Sequence, residues 1–306
     1  MPPTPLHNPL SAAAAKTDDD DAPLVALAVD GDRDALERLI KRHQPFIYNV
    51  AWKMVHDPDD ALDLTQEVLI KVITKLAQFD GRSAFRTWLY RIVVNEFLQA
   101  KRRSREGMFT SFDEHAASLD ALPNPEPTAE EELVLAEASR EMAMACTSGM
   151  ILCLTREQRL TYLLGDTFGV DHKLGAELFG ISPANFRVRL HRARRELYNY
   201  MNGKCGLVNR ANPCRCPKKA KALRQAGRLD PEGFQFARGY RREIADFVAR
   251  THEQAAGRIH EALDDARGDA AGGPVAEYTA LFRGHAARED FGGETVIGEL
   301  LDYFEV

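Results

Sequence analysis

The sequence predicts an all-α protein made of two small helical domains joined by a linker, with a mostly helical C-terminal extension. Three observations lead there. From Pro23 to about Arg105, apolar residues recur at spacings of three and four, the helical period. The same period returns from about Glu137 to Tyr200. Between such runs stand Asp, Ser, Pro and Gly in the places that start and stop helices.

In chain order, residues 1–23 combine Pro and Ala with the acidic run Asp18 to Asp21, the composition of a disordered acidic tail. Residues 24–105 form the first domain. Leu36, Leu39, Ile40, Ile47, Val50, Ala51 and Met54 make one apolar face of a first helix. After "HDPDDA", where Asp59 or Asp60 is expected to cap, Leu64, Val68, Val72 and Leu76 line a second. "DGRS" ends it, and "AFRTWLYRIVVNEFLQAKRR" is a third, so that three helices with short joints make a compact bundle. Residues 106–136 lose the period and gain Pro and Glu, as a flexible linker would. Residues 137–203 are the second helical domain, 204–220 a basic cysteine-containing segment, and 221–306 the extension, broken by "GDAAGGP" and "FGGET".

Composition narrows the functional classes. No apolar run is long enough for a bilayer and the start lacks a signal peptide's order, so a cytoplasmic protein without a membrane partner is expected. The net charge of −6 is unevenly spread. Acid concentrates in the tail and linker, whereas base concentrates in "KRRSR" and in Lys204 to Arg228, which contains no acid. The local field governs polyanion binding more than the total does. There is no Gly-rich phosphate loop and no HExxH pair, and "GHAARED" has no catalytic spacing, so no enzyme chemistry is expected.

The densest signal is "ISPANFRVRLHRARREL", with five arginines in the ten residues Phe186 to Arg195. Gly180 stops one helix, then Ser182 and Pro183 start the next with a capping hydroxyl and a proline at the first helical position. Phe186, Leu190, Ala193 and Leu197 form its apolar face. At about 100° per residue, Arg187, Val188, His191, Arg192 and Arg195 fall opposite, toward solvent. With the short "KLGAELF" helix before it, this is a helix-turn-helix. The alternative is a solvated face paired with linker glutamates, but only Glu196 interrupts the arginines.

With these motifs in hand, the chain resembles a bacterial RNA polymerase sigma factor of the extracytoplasmic-function (ECF) branch. "DALDLTQEVLIKV" and "FDGRSAFRTWLYRIVVNEFLQAKRR" resemble that family's region two, and "LTREQR" with "ISPANFRVRLHRARREL" its region four, over roughly residues 24–203. The resemblance implies docking on the clamp helices of the polymerase beta-prime subunit through Asp63, Gln66, Glu67 and Lys71. It implies minus-ten element contacts by Arg82, Ser83, Arg86, Asn95, Lys101, Arg102 and Arg103, with Arg91 among the cations of that helix and Trp88 expected in the core rather than as a stacking platform. It implies minus-thirty-five contacts by Ser182, Asn185, Arg187, Arg189 and Arg192. The chain departs from the family in "LGAELFG", where Glu-Ile-Ala is usual, so promoter preference does not transfer.

Five cysteines do not make a disulfide framework. Cys146 and Cys153 read as core thiols. Cys205, Cys214 and Cys216 could hold zinc with a fourth ligand such as His191 or Cys153, although C-x8-C-x-C is not a standard finger and a folded turn with reduced thiols is the simpler reading. The extension could regulate the sigma domains in place of a separate anti-sigma protein. Two rival classes remain from sequence: a helix-turn-helix regulator acting without polymerase, and a metal- or redox-sensing interaction protein.

Overall fold

The structure, a computed structural model, describes residue 10 and residues 18–100 and 111–229. Among them there is no strand, only helices and one isolated β-bridge. The expected sites Lys101, Arg102 and Arg103 and the extension beyond Leu229 lie outside the described residues.

Two compact units contain the described chain. The first takes residues 18–100 and 156–190. Its helices are α1 (Asp18–Val29), α2 (Arg33–Val55), α3 (Pro58–Lys75), α4 (Phe85–Gln99), α8 (Arg156–Tyr162), α9 (His172–Phe179) and the first part of α10 (Pro183–Lys204). Between α8 and α9, Leu163–Thr167 widen into a π-turn. The second unit takes residues 111–155 and 191–229, with α5 (Phe112–Asp120), α6 (Ala129–Val134), α7 (Ala136–Leu152), the rest of α10, and α11 (Cys216–Gln225).

The apolar period sets the core of the first unit. Leu36, Leu39, Ile40, Ile47, Val50, Ala51 and Met54 of α2 are all buried, against Leu64, Val68, Val72 of α3 and Leu76 after it. Leu89, Ile92, Val93 and Phe97 of α4 complete the packing. Removing such apolar surface from water is the main favourable term. The α3 cap is Asp57, whose carboxylate accepts from the amides of Asp59 and Asp60, with Pro58 at the first position. The proline fixes φ and lacks a donor, so the capping oxygen falls one residue before it, not at Asp59 or Asp60 as expected.

Two expected boundaries move. The acidic tail expected over 1–23 enters a helix at Asp18, because Leu24, Val25 and Ala28 supply a face that α1 buries. Asp21, only 5 % exposed, accepts from His43 Nε2 at 3.1 Å and from Arg42 at 2.6 Å. Burial works to raise the pKa of Asp21, but His43 and then Arg42 outweigh it and hold the carboxyl below its usual range. The His43 ring also meets the Tyr90 hydroxyl at 3.2 Å, which ties α1 through α2 to α4.

The segment 106–136, expected as a flexible linker, contains α5 and α6. Ser111 caps α5 by accepting from the Glu114 amide. Thr128 and Glu131 form a reciprocal capping box on α6. These helices are too short for periodicity to announce them; their caps were the legible signal. In the second unit His115 of α5 lies buried against the Tyr200 hydroxyl at 2.5 Å, and Lys219 of α11 reaches the Leu119 and Leu122 carbonyls at 2.6 Å.

Candidate nucleic-acid and polymerase interfaces

The helix-turn-helix is assembled by its caps and by one close approach. Asp171 accepts from the Lys173 and Leu174 amides to start α9, and Gly180, at φ 64°, ends it in the left-handed region that a side chain disfavours. Ser182 Oγ accepts from the Asn185 amide at 3.2 Å, so the hydroxyl expected at DNA is engaged as the α10 cap. Phe186 is fully buried between the helices, its ring 5.8 Å from Phe179 and against Gly175.

Phe186, Leu190, Ala193 and Leu197 are buried, which turns the other face of α10 outward. Ser182, Asn185, Arg187, Val188, His191, Arg192 and Arg195 are all exposed along it. An open cationic ridge therefore exists. Arg189 is the exception among the expected residues. Its side chain is 25 % exposed, pairs with Glu157 of α8 at 3.3 Å and lies over the Phe179 ring at 5.5 Å. Val188, His191 and Arg195 were left out of the candidate set although the same 100° stripe contains them. Val188, 48 % exposed amid the arginines, offers an apolar surface of the kind that meets a thymine methyl.

On α3, Asp63, Glu67 and Lys71 are exposed and Gln66 is half-buried, at one-turn spacings on the side away from the core stripe. Lys71 approaches Glu96 of α4 at 4.0 Å. This charged strip is suited to another charged helix surface.

Around α4, Arg82 is exposed and held by Asp80 at 2.5 Å, while Ser83 and Arg86 are half-buried and Asn95 is exposed. Trp88, expected in the core, is half-buried: its ring stacks on Phe85 at 5.7 Å and meets Phe79 edge-on at 5.6 Å. A bulky ring at the rim of a small bundle covers the core edge and leaves its outer part wet. Arg91 is exposed and bonds across to α9, at 3.3 Å to the Glu177 carbonyl and 3.5 Å to its carboxylate.

The cysteine segment folds as a turn. Cys205 and Cys214 pair through their backbones as an isolated parallel bridge. The Asn212 amide side chain donates to the Asn202 and Cys205 carbonyls. Gly206 is required there, since a Cβ would stand 2.2 Å from the Cys214 carbonyl oxygen. Burial pushes the thiols of Cys205 and Cys214 up, and that of Cys216 to about 12. Cys146 and Cys153, expected in the core, are half-buried, and Cys153 donates to the Ser111 and Gly149 carbonyls. Among the described residues no three His, Cys, Asp or Glu side chains are grouped so as to share a metal ion.

Two family profiles match in the order that the sequence implied: Sigma-70 region 2 over residues 39–106, and Sigma-70 region 4 over residues 145–197. The chain belongs to the ECF branch of the sigma factors. It is similar to the RNA polymerase sigma factor YlaC of Bacillus subtilis, with 27 % identity over 55 % of this chain and 93 % of that one. The ECF sigma factor SigM of Mycobacterium tuberculosis is 26 % identical over 64 % and 92 % of the two chains, and the ECF sigma-E factor of Escherichia coli 29 % over 58 % and 93 %. A solved chain, CnrH in complex with the cytosolic domain of CnrY, shares 22 % identity with a TM-score of 0.43 over 60 % of this chain and 97 % of that one, a likeness too loose to carry detail. As a sigma factor the chain directs promoter recognition and transcription initiation by RNA polymerase. Among the described residues no helix is long and apolar enough to cross a membrane.

Proposed function

We propose that the chain carries out this role through three surfaces. The α3 strip of Asp63, Gln66, Glu67 and Lys71 docks on the beta-prime clamp helices of core polymerase. Arg82, Ser83, Arg86 and Asn95, continued by Lys101, Arg102 and Arg103, hold the opened minus-ten element, where backbone cations and surfaces for unstacked bases are needed. The α10 ridge reads the minus-thirty-five element in the major groove through Asn185, Arg187 and Arg192, with Ser182 setting the helix start and Arg189 reaching phosphate once Glu157 releases it.

Strand separation breaks no covalent bond, so the factor contributes binding energy and the polymerase supplies the catalysis. The cytoplasm, where polymerase and chromosome meet, is the compartment this requires. The extension beyond residue 220 regulates the sigma domains, in place of or beside a separate anti-sigma protein. The observation that carries the reading is the solvent-facing ridge of Arg187, His191, Arg192 and Arg195 on a capped second helix. The test is run-off transcription: the full chain is added to sigma-free core polymerase and the start sites are sequenced. Defined starts preceded by a shared pair of sequence elements support the proposal, and initiation no better than core alone defeats it.

A further inference from the structure

Three separate elements of the second unit bring thiols into one neighbourhood. Cys205 follows α10, Cys214 and Cys216 open α11, and Cys146 stands on α7. The Cys205 and Cys214 backbones are bridged, and the Gly206 amide donates to the Cys214 carbonyl at 3.1 Å. Helix α11 packs on α7 through Ala220 against Leu135 and Ala138, which sets its first turn beside Cys146. Burial pushes the Cys146 thiol well above its usual value, and the nearby Cys205, Cys216, Cys214 and Cys153 sulfurs add to the shift.

The surroundings suit sulfur as an anion once a cation is present. The amides of Leu207 and Val208 are aimed at the Cys205 sulfur and favour its thiolate. Lys219, Arg215 and Lys204 do the same for Cys214, against the single carboxylate of Asp120. Four thiolates on a divalent ion leave two negative charges, which such cations offset. A small helical unit also closes only a limited apolar core, and a structural ion is a recurring staple for units of that kind.

The other two ligands weighed from sequence are placed elsewhere. His191 faces solvent on the α10 ridge, and the Cys153 thiol donates to the Ser111 and Gly149 carbonyls. Without an ion no three of the side chains converge on one point. What is in place is the backbone, from which each sulfur swings between staggered positions about its Cα–Cβ bond.

We infer that Cys146, Cys205, Cys214 and Cys216 close on a zinc ion as a tetrahedral four-sulfur site. Soft thiolates in that number select zinc, and Cys146 is the fourth ligand that the C-x8-C-x-C spacing lacks. On binding, four S–H bonds break, four Zn–S bonds form, and the four protons pass to solvent. The ion ties α7 to both sides of the 205–215 turn. It thereby fixes α11, whose Lys219 reaches the Leu119 and Leu122 carbonyls and whose Lys221 pairs with Glu131 at 2.7 Å. Zinc thus orders the segment that joins the two sigma modules.

The test uses the full chain in reducing buffer. Bound metal is measured after purification with zinc, and the chelated protein is then titrated with Co2+, whose tetrahedral thiolate complexes absorb visible light. One zinc ion per chain and the cobalt bands of a four-sulfur site are expected. Cys146→Ser is expected to weaken zinc by more than the roughly ten- to hundredfold that loss of a group merely supporting a ligand costs. Cys153→Ser is expected to keep parental affinity. Absence of bound zinc, or parental affinity in Cys146→Ser, overturns the inference.

A measurement on the parental chain covers a variant that fails to fold. Alkylation of the native protein, read by mass, is expected to spare Cys146, Cys205, Cys214 and Cys216 with zinc and to reach all of them after chelation. Equal labelling in both states, or labelling of Cys146 while the other three are spared, overturns the site. Neither readout needs polymerase or DNA, so its failure and the failure of the promoter-reading proposal are told apart.

Discussion

Gly175 and the ring of Phe186 occupy positions that exclude any side chain on residue 175: a Cβ there would stand 2.5 Å from Phe186 Cζ. The two helices of the DNA-reading motif are locked through this single approach of an α9 backbone to an α10 aromatic. Gly175→Ala is predicted to force the ring or α9 outward and to cost about 1–3 kcal/mol, as overpacked sites do. Thermal unfolding with a paired measurement of DNA binding as holoenzyme checks it; an unchanged melting temperature would mean that the ring yields freely.

Arg187 is exposed on the ridge, one position past the buried Phe186. Arg187→Ala is predicted to weaken holoenzyme binding at the upstream element by roughly 1–3 kcal/mol and to blur its sequence preference. Lys101→Ala, in the basic run after α4, is predicted to weaken binding evenly across sequences and to reduce the salt slope by about one. Competition binding across a panel of upstream substitutions, repeated over a salt series, separates the two behaviours.

Lys53 is 2 % exposed within α2, over the Trp52 ring, and burial lowers its pKa to about 7. An unfolded lysine keeps its ordinary value, so between pH 7 and about 10.5 the unfolded state binds more protons and stability rises with pH. The first unit is predicted to gain about 2 kcal/mol from pH 7 to pH 9 through this group. Lys53→Met should be more stable at pH 7 and should lose that part of the pH dependence. Denaturant melts across the interval decide it.

His115 behaves in the opposite pH range. Burial lowers its pKa to about 4, outweighing the hydrogen bond with the Cys146 backbone that favours the charged ring. The neutral ring is the stable form, so its contribution is complete above the unfolded value near 6.5 and is lost as pH falls toward 4. Acidification from pH 6.5 to 4 is predicted to destabilise the second unit by up to roughly 3 kcal/mol from this site. His115→Gln should flatten that decline, as monitored by exchange in α5 and α7.

How much of this was legible without coordinates varies by element. The α2 and α3 stripes were readable because each buries one wide face, and every residue assigned to them is buried. The cationic ridge was readable because Ser182, Pro183 and Phe186 fix the register of α10, and 100° per residue then fixes which side is wet. Helices α5 and α6 were not, since nine and six residues leave too few turns for a period to emerge. Trp88 was misjudged because spacing gives a face but not its depth at the rim of a bundle.

By itself the sequence determined the helical class and the outward stripe of arginines, which follow from local periodicity and capping, and the order of the two sigma modules, which the family resemblance of their motifs implied. Only the tertiary structure decided that Asp21 is buried on His43, and that Glu177 and Glu157 hold Arg91 and Arg189. Each of these depends on residues from different helices meeting in space, and a linear pattern contains no record of such distances.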